Sequence, residues 1–240
     1  MGMTFFVRHS CLRKKIPDYF IKHNLNSFCA VACSYGADVY DFIFELLERG
    51  AYRDNLIIHG TDINHNITDN IQSRPYKCSI RTTEMKNIFL EGSWKEGSLY
   101  PYPIILPNLP DSYKKYFNEQ LVLDEKIQKL AHFYCQDIKL PAMQKYDLVV
   151  AFTVFSHLYK NKRFPYLGKK DKNDIFNVID NLLEQTNNML VISAGVIKDR
   201  EIGIDSVFHV LMEYLNNKNL HYDIFGGRIY IFKDGIPKGI

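Results

Sequence analysis

The chain has 240 residues, 46% hydrophobic and 24% charged, with a formal net charge of +3. That length suffices for one sizeable core, the composition excludes a disordered or fibrous protein, and so small a charge gives no support to nucleic-acid binding. No apolar run approaches the roughly 18 residues of a membrane span, the N-terminus lacks the apolar core of a signal peptide, and five cysteines without a C-x-x-C pair read as buried free thiols. A single cytoplasmic domain spanning residues 1–240, with no membrane or nucleic-acid partner, is the expectation.

In chain order, Ile16 to Lys22 has the spacing of a short amphipathic helix. Phe28–Ala32 reads as a first strand that breaks at Cys33-Ser34-Tyr35-Gly36, Asp38–Arg49 as a helix, and Leu56–Gly60 as a second strand running out at Thr61-Asp62. Strand, tight turn, helix, strand and terminal acid form the unit that binds nucleosides in doubly wound sheets. The turn brings backbone close to the ligand, and the acid accepts hydrogen bonds from ribose hydroxyls. Only Gly36 stands where G-x-G-x-x-G would hold a pyrophosphate. The pattern therefore points to a nucleoside without phosphates rather than to a dinucleotide.

Thr68 to Ser73 opens a helix that Pro75 ends. Residues 86–118 are rich in aromatics, prolines and glycines, and read as a loop-rich insertion packed over the site as a cap. Lys129–Cys135 reads as strand three and Asp147–Phe152 as strand four, whose β-branched run suits a fully buried parallel strand. Asp174–Gln185 is an amphipathic helix, Met189–Ala194 strand five, and Asp205–Asn216 a further helix. Tyr222–Phe225 and Arg228–Phe232 flank Gly226-Gly227 as a β-hairpin. The fold class is α/β: a doubly wound, mostly parallel sheet ending in an antiparallel hairpin, with polar groups at the carboxyl ends of strands one to four, where such sheets bind ligands.

Several segments carry a closer resemblance. Thr4-Phe5-Phe6-Val7-Arg8 resembles T-x-F-F-R, Cys33-Ser34-Tyr35-Gly36-Ala37-Asp38-Val39-Tyr40 resembles C-S-x-G-E-E-P-Y, and Gly60-Thr61-Asp62-Ile63 resembles A-T-D-I. Tyr116-Phe117 falls at the place of R-Y-F, and Cys135-Gln136-Asp137-Ile138 at that of V-N-L-L. In this order the motifs resemble the class I, Rossmann-like S-adenosylmethionine-dependent methyltransferases, and among them the catalytic domain of the CheR chemotaxis-receptor methyltransferases. The match runs from residue 4 to about 195.

The resemblance implies S-adenosyl-L-methionine as cofactor. Thr4 and Arg8 would meet its methionine end, Arg8 pairing with the carboxylate. Asp38 would accept from the α-amino group, Asp62 would hold the ribose hydroxyls, and Gln136 and Asp137 would frame the adenine. Ala32, Cys33, Tyr35, Gly36, Ile63, Phe152 and Thr153 would complete the cofactor site. The residue types suit these tasks: a carboxylate calls for a bidentate guanidinium, an ammonium for an acid, and a diol for an acid with two acceptor oxygens.

The chain departs from the family after strand four, where Ala151-Phe152-Thr153-Val154-Phe155-Ser156-His157-Leu158 replaces C-R-N-V-x-I-Y-F. It also starts almost at the Thr4 motif, with no place for the family's N-terminal helical domain. A changed acceptor is expected. The F-S-H-L segment is similar to that of small-molecule methyltransferases, in which the histidine can act as general base, so His157 reads either as the catalytic base or as a packed polar residue. Lys160-Asn161-Lys162-Arg163 and Lys169-Lys170-Asp171-Lys172 read as a solvated loop or as a basic rim suited to an anionic acceptor. Methyl transfer to an oxygen of a small molecule or cell-surface glycan precursor is the leading expectation. Carboxyl methylation of a protein, or a non-catalytic cofactor-binding relative, are the alternatives. The remaining histidines show no metal spacing with carboxylates, so no metal is expected. Oligomeric state is left open.

Overall fold

Every residue of the strand Ser27–Val31 (β1) is buried, which requires helices on both faces of the sheet it belongs to. The computed structural model describes residues 9–80, 104–105, 109–152, 154–155, 172–193 and 207–233. The expectations for Thr4, Arg8, Thr153 and His157, for most of the 86–118 cap and for nearly all of the basic segments at 160–172 lie outside these residues.

Six further strands join β1: Ile57–Asp62 (β2), His132–Cys135 (β3), Tyr146–Ala151 (β4), Thr186–Ser193 (β5), His221–Phe225 (β6) and Arg228–Phe232 (β7). Their order across the sheet is β3-β2-β1-β4-β5-β7-β6. The first five are parallel, while β7 pairs antiparallel with both β5 and β6. This is the doubly wound sheet with a terminal hairpin that the sequence predicts. Gly226 and Gly227 both take positive φ, 55° and 75°, as a tight hairpin turn requires. A separate pair of two-residue parallel strands joins Ser79–Ile80 to Ile104–Ile105.

Three helices lie against one face: Lys15–Lys22 (α1), Ala37–Glu48 (α2) and His65–Ser73 (α3). Their inward residues form one core with alternate strand residues, and Phe42 of α2 stacks on Phe28 with ring centroids 4.0 Å apart. The opposite core takes Val178, Ile179 and Leu182 of Lys172–Glu184 (α4) and Leu211 and Leu215 of Val207–Asn217 (α5).

Boundaries move where caps or pairing override local pattern. Strand three begins at His132 rather than Lys129, because Glu125–Gln128 forms a helical turn capped by the Asp124 carboxylate on Lys126 and Ile127 amides. Strand two runs on to Asp62 because Thr61 and Asp62 pair with Tyr134 and Cys135. Within the stretch 86–118, Tyr113 and Tyr116 are described, and both rings pack on Phe44 in the second half of α2.

Two local arrangements shape the ligand-facing half of the sheet. Phe133 of β3 packs against β2 and the β1–α2 turn, so that a Cβ at Gly60 would meet its ring at 2.5 Å and one at Gly36 at 2.6 Å. Both glycines therefore make room for this ring. Between β3 and β4 the chain has only residues 136–145, without a helix. That corner is closed instead by polar aromatics. His59 Nδ1 lies 2.8 Å from the Tyr146 hydroxyl, Tyr146 bonds Tyr134, and Gln144 donates to Tyr146.

The tight packing predicts that Gly60→Ala destabilises the fold by about 1–3 kcal/mol, the cost of overpacking a filled core, and that Phe133→Leu in the same chain recovers part of it. Denaturant midpoints of the three proteins check this. The His59 imidazole is held down to about 4 from its ordinary 6.5, by burial and by His132 beside it. Below pH 6.5 the unfolded chain then binds a proton that the folded one refuses. The stabilisation is present above that pH and is lost as pH falls towards 4. Unfolding free energies should decline over this window, and more shallowly in His59→Gln.

Candidate functional site

β1 delivers the chain into a turn whose backbone alternates in handedness. Ala32, Ser34 and Gly36 all have positive φ, of 52°, 50° and 76°. A left-handed conformation at a non-glycine residue costs on the order of 1 kcal/mol and persists only where neighbours over-determine it. Here they do. The Cys33 amide donates to the Thr61 carbonyl at 2.9 Å, the Gly36 amide to the Cys33 carbonyl at 3.0 Å, and the Tyr76 hydroxyl to the Tyr35 carbonyl at 2.5 Å. The Ser34 amide donates to Asp62 Oδ2 at 2.8 Å.

Asp62 thus ties the end of β2 to the turn after β1. Its other oxygen, Oδ1, accepts from the Asn64 amide at 3.0 Å. Each carboxylate oxygen has two lone-pair directions, so both keep acceptor capacity towards a ligand. Beside it Ile63 is 65% exposed, an apolar side chain left on the surface at the carboxyl edge of the sheet. The Gln136 amide donates to the Asp62 carbonyl at 2.9 Å, which sets the loop after β3 against the same edge. Asp137 Oδ1 accepts from the Lys139 amide at 2.9 Å and so shapes its own loop. Cys135, between Asp62 and Gln136, is the one exposed thiol of the five.

Asp38 stands in the first turn of α2, where the helix dipole favours a negative charge, and is 3% exposed. His9 faces it, with Nε2 3.9 Å from Asp38 Oδ2. The His9 ring lies on Phe152, centroids 4.2 Å apart, and Phe152 is itself buried directly after β4. On the other side, His9 Nδ1 is 2.7 Å from Nη2 of Arg228, whose guanidinium carbon sits 5.5 Å over the Phe152 ring. Arg228 opens β7 opposite Ser193, the last residue of β5, and so belongs to the same carboxyl edge.

The structure therefore brings Ala32, Cys33, Tyr35, Gly36, Asp38, Asp62, Ile63, Gln136, Asp137 and Phe152 to the carboxyl ends of β1 to β4. Within that group Cys33 is buried, and its thiol lies near the space beside Gly60. Gly36 serves the turn through its φ and through the close approach of Phe133. His9 and Arg228 are the additions. Sequence reading treats the first only as a histidine outside any metal pattern and the second only as a hairpin residue. A pair 219 positions apart leaves no local signal, though a lone arginine opening the apolar alternation Ile229-Tyr230-Ile231-Phe232 is a cue. Among the described residues no group of three side chains is arranged to hold a metal.

A cavity of about 680 Å3 lies elsewhere, between the end of α3, residues 115–131 and Phe133. Most of its lining comes from the end of α3 and from the residues leading into β3, away from the acids at the carboxyl ends of β1 and β2. The carboxyl edge, where the polar groups gather, is the candidate site.

No family model matches the chain, and no curated protein matches it. Similar solved structures include the methyltransferase domain of bacterial CtHen1-C (12% identity, TM-score 0.47, covering 95% of this chain and 100% of that one). Magnesium protoporphyrin IX methyltransferase from Synechocystis PCC 6803, with bound SAM, is 12% identical with a TM-score of 0.45, over 92% of this chain and 77% of that one. NcsB1, an O-methyltransferase from neocarzinostatin biosynthesis in complex with S-adenosyl-L-homocysteine and 1,4-dihydroxy-2-naphthoic acid, is 9% identical with a TM-score of 0.45, over 93% and 53%. The substrates of those proteins are theirs alone. No helix among the described residues is long and apolar enough to cross a membrane.

The double duty of Asp62 predicts that Asp62→Ala destabilises the protein by about 1–3 kcal/mol for each backbone amide it strands. Asp62→Asn, which keeps one carbonyl acceptor, should lose less. Urea unfolding of the two variants gives the comparison.

Proposed function

We propose that the chain is an S-adenosyl-L-methionine-dependent methyltransferase with a CheR-like core, acting on an oxygen of a small molecule or cell-surface glycan precursor. The observation that carries this reading is the joint placement of Asp38, Asp62 and the left-handed Ala32–Gly36 turn at the carboxyl ends of β1 and β2. A buried acid at a helix start suits an ammonium. An acid with spare acceptor capacity at the end of β2 suits a diol, and exposed Ile63 beside it suits the face of a purine. When bound, S-adenosyl-L-methionine supplies an electrophilic methyl group on a sulfonium.

The chain's own residues then bind and orient. Asp62 accepts from the ribose hydroxyls while holding Ser34, and Asp38 accepts from the α-amino group. Arg8 pairs with the methionine carboxylate next to Thr4. Gln136 and Asp137 frame the adenine together with Ile63, and Phe152 and Thr153 flank the reacting end. His157 takes the proton that the acceptor hydroxyl gives up as the carbon–oxygen bond forms. Alignment is the main source of rate, worth up to about 7–11 kcal/mol in well-oriented systems. Residues of the aromatic segment 86–118 ahead of Tyr113 and Tyr116, which pack on Phe44, would cover the pocket and exclude water. The basic segments 160–163 and 169–172 line the acceptor side and favour an anionic acceptor. The whole of 1–240 acts as one catalytic domain.

Calorimetry with S-adenosylhomocysteine tests the cofactor. Binding by the unmodified protein is expected, with at least about fivefold weakening in Asp62→Asn, since a donor–acceptor match lost to a ligand is worth about 1–3 kcal/mol. Exposed Cys135 supplies a second readout, because S-adenosylhomocysteine should slow its alkylation. No binding, together with unprotected alkylation, overturns the reading.

A further inference from the structure

The seven-stranded sheet has two ends, and they are finished differently. At one end the Phe133 amide of β3 donates to Gln72 Oε1 of α3 at 2.8 Å, so a side chain takes a donor in the middle of that edge. At the other end lies β6, His221-Tyr222-Asp223-Ile224-Phe225, which pairs with β7 alone. Four of its five residues are exposed, among them Ile224 at 45% and Phe225 at 55%. An open edge strand presents a row of unpaired backbone groups, and proteins that stay apart blunt it with lysine, proline or a bulge. β6 has none of these. Its register with β7 is unbroken, and its one formal charge is Asp223.

The hairpin geometry sets which groups point outwards. A two-residue turn is closed by the residues that flank it, so Phe225 exchanges bonds with Arg228, and every second residue back along β6, Asp223 and His221, also faces β7. Tyr222 and Ile224 therefore turn their amides and carbonyls to the free side. Side chains alternate as well. Tyr222 and Ile224 share one face with Leu220 just before the strand, and Leu220 and Tyr222 pack there on the core that α4 and α5 cover. His221, Asp223 and Phe225 share the other face.

We propose that β6 is a homodimer interface, to which a second copy of this chain adds its own β6 antiparallel, with Tyr222 facing Tyr222 across the two-fold axis. This register is self-complementary. It sets His221 against Asp223 of the other copy twice over, and Leu220 against Ile224 twice over, and opposite-charge and apolar cross-strand pairs both favour association. An axis through Asp223 would instead oppose two carboxylates. The outward backbone groups also match. Tyr222 exchanges two amide–carbonyl bonds across the axis, and the Ile224 amide donates to the Leu220 carbonyl. The Leu220 amide is already taken by the Leu215 carbonyl at 3.1 Å, so that pair makes one bond. Because Gln72 caps β3, the two-fold uses the one open edge of this sheet among the described residues, and assembly closes at a dimer. A five-residue strand buries too little for an obligate dimer, so the association is reversible and depends on concentration.

Light scattering on a concentration series of the full chain should show a dimer that dissociates on dilution. Higher oligomers, or a monomer at every concentration up to the solubility limit, overturn the proposal. Ile224→Pro removes an outward amide and leaves the β6–β7 ladder its bonds. It should raise the dissociation constant at least about fivefold, since each dimer loses two backbone hydrogen bonds. An unchanged constant overturns the proposal. The register has its own readout, in a Cys135→Ser background that lacks the exposed native thiol. Tyr222→Cys sets two thiols face to face on strands whose Cα atoms are about 5.5 Å apart, within disulfide reach. Ile224→Cys places them well along the strands from one another. Oxidation should link the first variant as a covalent dimer and not the second. No link in Tyr222→Cys, or equal linking of both, overturns the proposal. Circular dichroism checks that Ile224→Pro folds, and if it does not, the two cysteine variants decide.

Discussion

The hydrogen bond from the Ser34 amide to Asp62 Oδ2 is the constraint on which the carboxyl edge depends. Two residues of the turn it holds, Ala32 and Ser34, sit in the left-handed region without being glycine. Relaxing either would swing the start of α2, and with it Asp38, away from the sheet. The clamp is charge-assisted and short, the kind of bond that can hold such backbone in place. Phe133 works from beneath by filling the space left by Gly36 and Gly60. A turn wedged by one ring and pinned by one carboxylate has few other conformations available. Rigid support of this sort is what a recognition site needs if its polar groups are to be placed before a ligand arrives.

The opposite edge is held by a different acid in a similar way. Asp147 Oδ2 accepts from the amides of Asn26 and Ser27, and its own amide donates to Ser27 Oγ. Asn188 donates to Oδ1. One side chain thus gathers the amino ends of β1, β4 and β5. Asp147 and Asp62 lie at opposite ends of the same sheet and both take backbone amides as partners. The difference is in their surroundings. Asp147 joins three strands of the scaffold, whereas Asp62 faces an edge where exposed Ile63 and Cys135 also lie. Position along the strand, more than residue type, separates the structural acid from the candidate ligand.

Most of the scaffold was legible because its signals are local. The β-branched run of β4, the alternation of β7 and the paired glycines before it each contain their own explanation. Where boundaries moved, a partner outside the local window decided the outcome. Tyr134 and Cys135 extend β2, and the Asp124 cap takes residues that would otherwise have joined β3. The acids of the site were legible for the same reason as the strands, since each stands next to a strand end or a helix start. His9 and Arg228 were not, because what joins them is the register of the hairpin against β5, a property of the closed sheet.

Burial of Asp38 explains why such a long-range pair is useful. A carboxylate taken out of water costs several kcal/mol unless charge or hydrogen bonds compensate it. The helix dipole of α2 supplies part of that compensation, and the Arg228–His9 pair brings a permanent positive charge to within one imidazole of the carboxylate. At 3.9 Å the imidazole stands beyond hydrogen-bond reach of the carboxylate, so the guanidinium acts on Asp38 through its field and not through a chain of bonds.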